Sequence, residues 1–163
     1  TSRGQFIDVA MLDSAFMLMT AMVTDTLTSG AAPARHGNEH PYYAGYRLYE
    51  TADGPLMIGA YTNEQLARLL ETLGEPERAD AVRQTSRAEI RGSTESDAEL
   101  IAARVRTRGA DEWEALLQAA HVPAARVRTL DEVLGHEQVA SRAVLQPMPV
   151  EAESGPSALP VAP

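Results

Sequence analysis

One dipeptide organises this chain. Asp53-Gly54 separates two β-prone runs, Tyr46-Arg47-Leu48-Tyr49-Glu50 and Leu56-Met57-Ile58, and Asp-Gly is a preferred tight-turn pair because both residues tolerate positive φ. The spacing predicts a β-hairpin over about 45–60, with Pro55 at a strand start or an edge, where a missing N–H does no harm. From Thr62 onward the apolar period becomes helical. Thr62 and Gln65 form a capping box before the stripe Leu66, Leu69, Leu70 and Leu73, which Gly74 and Pro76 end. Ser96 and Glu99 repeat the pattern before Leu100, Ile101 and Val105; Gly109 then precedes a helix carrying Trp113, Leu116, Leu117 and Ala120 on one face, with Pro123 beyond its stop. A short β-like run, Ala125 to Arg128, leads to a third capping box at Thr129 and Glu132, ahead of Val133 and Leu134. Strands grouped around a hairpin, with about four to five helices and no βαβ alternation, predict an α+β fold with a short antiparallel sheet.

Ahead of the hairpin, Gln5 to Ala10 alternate with a period of two and read as a short strand. Asp13 is placed to N-cap a long helix in which Leu12, Phe16, Met19, Val23 and Leu27 recur up to the stop at Ser29-Gly30. Leu18 and Met22 make that helix apolar around most of its circumference, so it wants neighbours on several sides. The rest of the chain has its own core-forming elements, which predicts that this helix packs against something outside these residues. Residues 31–44, AAPARHGNEHPYYA, hold no sustained period and contain Pro33, Gly37 and Pro41. A loop of this length is functional or disordered, and its tyrosine pair and two histidines point to function. After Arg142 the tail PMPVEAESGPSALPVAP is rich in Pro, Ser and Gly and reads as extended or irregular chain without a partner in this sequence.

Composition removes whole chemistries. All 14 cationic side chains are Arg, and Cys is absent, which excludes Schiff-base and Walker-type lysines, thiol nucleophiles, disulfides and thiolate metal sites. A net charge of −9 argues against a phosphate backbone as partner. The longest strongly apolar stretch, Ala15 to Val23, is broken by Thr20 and falls short of a membrane span. Without a charged n-region followed by an apolar h-region, no signal peptide is expected. These readings together predict one soluble, cytoplasmic domain with neither nucleic acid nor membrane as partner.

Few residues suggest chemistry by themselves. His36 and His40 stand four apart, the spacing that puts two imidazoles on one helix face for a metal. Their segment is a Gly- and Pro-bearing loop, so they read as exposed loop histidines, and no metal is expected. His121 and His136 read as structural residues at helix ends. Arg83, Arg87 and Arg91 form a stripe that would hold an anion on a helix, or else pair with Glu77, Asp80 and Glu89. Trp113 reads as core, Tyr46 as packing on the hairpin, and Tyr42 and Tyr43, beside Pro41, as lining a site or an interface. No complete catalytic constellation is present.

Taken in order, four stretches resemble one family. RGQFIDVAMLDSA at 3–15, ARHGNEHPYYAGYRLYETADG at 34–54, ADEWEALLQAAHVPAARVRTLDEVLGHEQVASR at 110–142 and the closing SALPVAP are similar to the class III CoA-transferases. That family is also called the carnitine/bile-acid-inducible (CaiB/BaiF) type, and it includes formyl-CoA transferase and the α-methylacyl-CoA racemases. The resemblance implies a small α+β domain at 30–142, preceded by a strand and linker helix at 1–29 and followed by a tail at 143–163 that returns to a large CoA-binding domain. It implies that the family's catalytic aspartate, which carries first the acyl group and then CoA, lies upstream, so no catalytic residue is assigned here and neither Asp8 nor Asp13 takes the role. It implies an active-site loop over Gly37, Asn38, Glu39, His40 and Tyr42, where the formyl-CoA branch has a glycine-rich cover; one glycine here puts the same mobility in question.

The function expected on this basis is the small-domain share of CoA transfer from an acyl-CoA to a carboxylic acid, with the CoA thioester as substrate and no tightly bound cofactor. An interlocked homodimer is expected with it. Two alternatives stay open: an α-methylacyl-CoA racemase, and a non-catalytic module that binds a partner through its exposed linker helix.

Overall fold

The structure, a computed structural model, describes residues 4–143, 145–152 and 155–161. It divides into two compact units, residues 1–37 and residues 38–163.

In the first unit, residues 4–10 carry no strand. Alternation alone makes no ladder, and the described residues supply this segment with no partner strand. The predicted single helix is two, α1 (Met11–Leu18) and α2 (Thr20–Ser29). They are separated at Met19, whose N–H is shared between Ala15 and Phe16 carbonyls at 3.0 and 3.2 Å. The Thr20 hydroxyl donates to Met17 O at 2.6 Å, the local competition that bends helices at threonine. Ala10, not Asp13, precedes the first turn; Asp13 lies inside it, where a carboxylate complements the helix dipole. Gly30 ends α2 at φ +73, as the sequence predicts. Neither helix has a buried residue, and Phe16 is 54% exposed.

The second unit is α+β. Strands β1 (Tyr46–Glu50), β2 (Pro55–Gly59) and β3 (Ala124–Arg126) form an antiparallel sheet in the order β1-β2-β3. The pairing Glu50↔Pro55 makes the hairpin loop four residues long, Thr51 to Gly54, rather than a two-residue Asp53-Gly54 turn. The reason is tertiary. Asp53 Oδ1 accepts the Ala110 N–H at 2.7 Å, and Ala52 N–H donates to Arg108 O at 3.0 Å, so the loop is shaped by what it docks on. A Cβ at Gly109 would meet Asp53 Oδ2 at 2.5 Å, so a residue without a side chain lets a distant carboxylate cap the next helix.

The helices are α3 (Asn63–Thr72), α4 (Pro76–Gln84), α5 (Arg87–Ile90), α6 (Thr94–Val105), α7 (Ala110–Ala119), α8 (Leu130–Leu134) and α9 (Glu137–Ser141). Capping boxes form at Thr62/Gln65 and Thr129/Glu132. The one expected at Ser96/Glu99 does not: α6 starts at Thr94, two residues ahead of Ser96, because a 3-10 turn over Arg91–Ser93 runs directly into it. The core packs Leu56 and Ile58 of the sheet against Leu69 and Leu70 of α3, Val82 of α4, Ile101 and Val105 of α6, and Trp113 and Leu117 of α7. Leu116 departs from the expected face and is 38% exposed. The tail is not unpartnered either. Strands β4 (Gln146–Ala152) and β5 (Gly155–Val161) pair with each other in register Gln146↔Val161.

Candidate functional site

The site is built on the free edge of β1. Leu48 N–H donates to Asn38 O at 3.1 Å and His40 N–H to Tyr46 O at 3.0 Å, so residues 38–40 run antiparallel beside β1 as a short outer strand. The rest of the turn is held too. Tyr42 N–H donates to His40 Nδ1 at 3.2 Å, Thr94 Oγ1 donates to Tyr42 O at 3.2 Å, and Tyr46 N–H donates to Tyr43 O at 3.0 Å. Bonds at successive positions restrain a segment far more than a glycine-rich cover would be restrained. Gly37 sits at φ +58, in the first unit.

Arg47 anchors this arrangement from the inner face of β1. It is 6% exposed, with Nη1 3.4 Å from Glu39 Oε2 and Nη2 3.4 Å from Glu95 Oε2 in the first turn of α6. Among the described residues its buried Nε has no hydrogen-bond partner, a cost the two ion pairs must offset. Sequence reasoning passed over this residue, although strand alternation sets Arg47 on the same face as the buried Tyr49, and a charge on the inner face of a strand was the available signal. Tyr49 donates its hydroxyl to Ala44 O at 2.5 Å, and burial first of all pushes its phenol above the ordinary range, with Arg47 pulling the other way.

His40 is half-buried rather than exposed. Its ring centroid lies 4.7 Å from that of Tyr43, 5.8 Å from Tyr46, 5.9 Å from Tyr61 and 6.1 Å from Tyr42. Tyr61 escaped the sequence reading because it lies outside the tyrosine-rich stretch. Hairpin register brings it in: Tyr46 pairs with Gly59, and Ala60 N–H donates to Gly45 O at 2.8 Å, just ahead of Tyr61. A Cβ at Gly45 would approach Ala60 O to 2.7 Å, so this glycine permits the two chains to lie that close. On the outer face of the sheet, Tyr46, Met57, Gly59, Gln118, Pro123, Ala124 and Ala125 line an open groove of about 450 Å³.

Of the other candidates, His121, His136, Arg83 and Trp113 serve structure. His36 lies exposed in the first unit. His121 follows α7 at φ +58, where its N–H and that of Val122 close the helix end on Gln118 O and Leu117 O. His136 caps the start of α9 by accepting Gln138 N–H at 3.2 Å. Arg83 pairs with Glu71, Glu64 and Asp80 rather than with Glu77 or Glu89; the side chains of Arg87 and Arg91 lie outside those described. Trp113 is core and donates Nε1–H to Val105 O at 2.8 Å. Among the described residues, no three His, Asp or Glu side chains are grouped to hold a metal ion, and no helix is long and apolar enough to cross a membrane.

Comparison with known proteins gives a consistent picture. The pattern of CoA-transferase family III matches residues 1–162. Succinyl-CoA–D-citramalate CoA-transferase of Chloroflexus aurantiacus is 30% identical over 144 residues, covering 87% of this chain and 36% of that protein. Succinyl-CoA:glutarate CoA-transferase of Mus musculus is 26% identical over 149 residues, covering 91% of this chain and 34% of that protein. A CaiB/BaiF family protein from Brucella suis superposes with a TM-score of 0.68 at 25% identity, over 99% of this chain and 45% of that one. The chain thus spans about a third of the length of these curated relatives.

Proposed function

We propose that this chain, which belongs to CoA-transferase family III, is the small-domain portion of an enzyme that moves CoA from an acyl-CoA to a carboxylic acid. The family match over residues 1–162 carries the reading. The relatives named above are transferases acting on succinyl-CoA and a second carboxylate, which supports transfer rather than racemisation and a dicarboxylic acid as one substrate. Residues 30–142 are the small domain, and residues 1–29 and 143–163 connect it to the large one. The aspartate that carries the acyl group and then CoA belongs to that large domain. The loop from Gly37 through Asn38, Glu39 and His40 to Tyr42 faces the substrate, with Arg47 and Thr94 holding it in place. Imidazole and phenol are groups able to donate a hydrogen bond to a thioester carbonyl or a carboxylate.

The same reading covers the exposed apolar surface of α1 and α2 with the large domain and a second copy, as in an interlocked dimer. A cytoplasmic location belongs to this proposal. The test is a CoA-exchange assay, separating succinyl-CoA from product thioesters over a panel of dicarboxylic acids. The 163-residue chain by itself should give no turnover. Adding the large domain as a separate polypeptide should restore it. Turnover by the purified chain, or none after the large domain is shown to bind, would overturn the assignment.

A further inference from the structure

We propose that His40 is a charge-controlled clasp on the segment Asn38–Tyr43, closed by the neutral imidazole and opened by the imidazolium. The proposal rests on geometry in this chain and needs no assumption about CoA transfer. Pro41 has no N–H, so the first amide beyond His40 able to donate is that of Tyr42, and it reaches His40 Nδ1 at 3.2 Å. A nitrogen that accepts is unprotonated, which places the ring proton of the neutral form on Nε2. In the cation both nitrogens carry hydrogen, so donor meets donor. Flipping the ring sets a carbon where Nδ1 was, and no rotamer at this position restores an acceptor.

The bond closes the corner at which the chain leaves the edge of β1. On one side of it His40 N–H is fixed to Tyr46 O at 3.0 Å; on the other, Tyr42 O receives the Thr94 hydroxyl at 3.2 Å and Tyr43 O the Tyr46 N–H at 3.0 Å. Among the described ring contacts, the titratable groups packed on the imidazole include the phenols of Tyr42 and Tyr43 from the segment itself, Tyr46 from β1 and Tyr61 beyond β2. Next to His40 in the chain, Glu39 pairs with Arg47 of β1 at 3.4 Å, and the same guanidinium meets Glu95 of α6. Imidazole is the side chain whose ordinary titration falls between about pH 5 and 8. His136 accepts from Gln138 N–H in the same way at 3.2 Å, but there the bond starts a helix, whereas at His40 it closes the corner of the candidate site.

The test is residue-resolved amide hydrogen exchange on the 15N-labelled full chain, expressed as protection factors from about pH 8 to about pH 5, with the ring nitrogens of His40 followed in parallel. At the upper pH, Nδ1 should show the shift of a bare, accepting nitrogen. The Tyr42 protection factor should fall about tenfold on acidification, the equivalent of one ordinary hydrogen bond, with the midpoint of the His40 titration. His40→Asn, whose Oδ1 stands in for Nδ1 without titrating, should keep Tyr42 protected throughout. A flat Tyr42 protection factor across the His40 titration, a protonated Nδ1 at the upper pH, or an undiminished pH dependence in His40→Asn would each overturn the clasp. Should His40→Asn fail to fold, the two wild-type readouts decide the matter.

Discussion

Replacing Arg78 with alanine strips the countercharge from Asp97, whose side chain is 3% exposed. In the folded chain Arg78 Nε donates to Asp97 Oδ1 at 2.7 Å and Nη2 to Oδ2 at 2.8 Å, a two-pronged pair, while Nη2 also reaches Ser93 Oγ at 2.8 Å. After Arg78→Ala the buried carboxylate keeps, among the described residues, the Ser93 hydroxyl at 2.9 Å. Breaking a buried pair in this way costs about 3–5 kcal/mol, because a charge is left without compensation. Asp97→Asn should cost less, about 1–3 kcal/mol. The amide still offers an oxygen to Nε, and the stranded guanidinium is 30% exposed and finds water. With a urea m-value of about 2 kcal/mol/M, the first change moves the midpoint down by roughly 2 M and the second by roughly 1 M. The assay is urea unfolding followed by the fluorescence of Trp113, the one tryptophan, which is buried in the core of the second unit. Arg78→Met combined with Asp97→Leu should recover most of the loss, since well-packed apolar replacements of such pairs are often neutral. The reasoning is refuted if Arg78→Ala loses no more than Asp97→Asn, or if the double-mutant cycle yields a coupling below about 0.5 kcal/mol. The outcome bears on the candidate site, because this pair fixes the first turn of α6, from which Thr94 holds Tyr42 O and Glu95 faces Arg47.

Leu70→Ala, at a fully buried position on α3, should cost about 2–5 kcal/mol and shift the urea midpoint without changing the slope. Gly45→Ala would drive a methyl to 2.7 Å from Ala60 O and 2.8 Å from Ala60 Cβ, so thermal unfolding should reveal a loss of about 1–3 kcal/mol; an unchanged melting temperature would contradict the close approach. The Ala110 N–H, and after it the Thr51 hydroxyl, hold the Asp53 carboxyl below its ordinary range. A carboxyl depressed in the folded state contributes stability that is complete above its unfolded value, about 3.9, and is lost as pH falls through the folded one. Asp53→Asn should therefore flatten the acid limb of stability against pH relative to the parent chain, and an identical acid limb would remove Asp53 from the account.

Much of the fold was legible because its signals are local. A capping box needs only residues three apart, so Thr62/Gln65 and Thr129/Glu132 could be located without any neighbour. Ser96 with Glu99 carries the same letters and starts no helix, because tertiary contacts of Arg78 with Ser93 and Asp97 set where α6 begins. The stretch Gly37–Tyr42 stood out by its lack of period, yet its contacts were invisible in sequence. Arg47 and Tyr61 join it through strand alternation and hairpin register, and Thr94 reaches it across 52 residues of chain.

The sequence by itself determined the α+β class, the hairpin, the helical stripe of α3, the stop at Gly30 and the family, because each rests on short-range periodicity or on an ordered string of residues. Only the tertiary structure decided that Asp53 caps α7 from the hairpin, that Arg47 is buried between Glu39 and Glu95, that His40 accepts a backbone proton within a ring of tyrosines, and that the tail pairs with itself. The physical reason is common to all four. Each is the satisfaction of a polar group whose partner is chosen by proximity in space, and a lone donor or acceptor in a sequence does not state who will answer it.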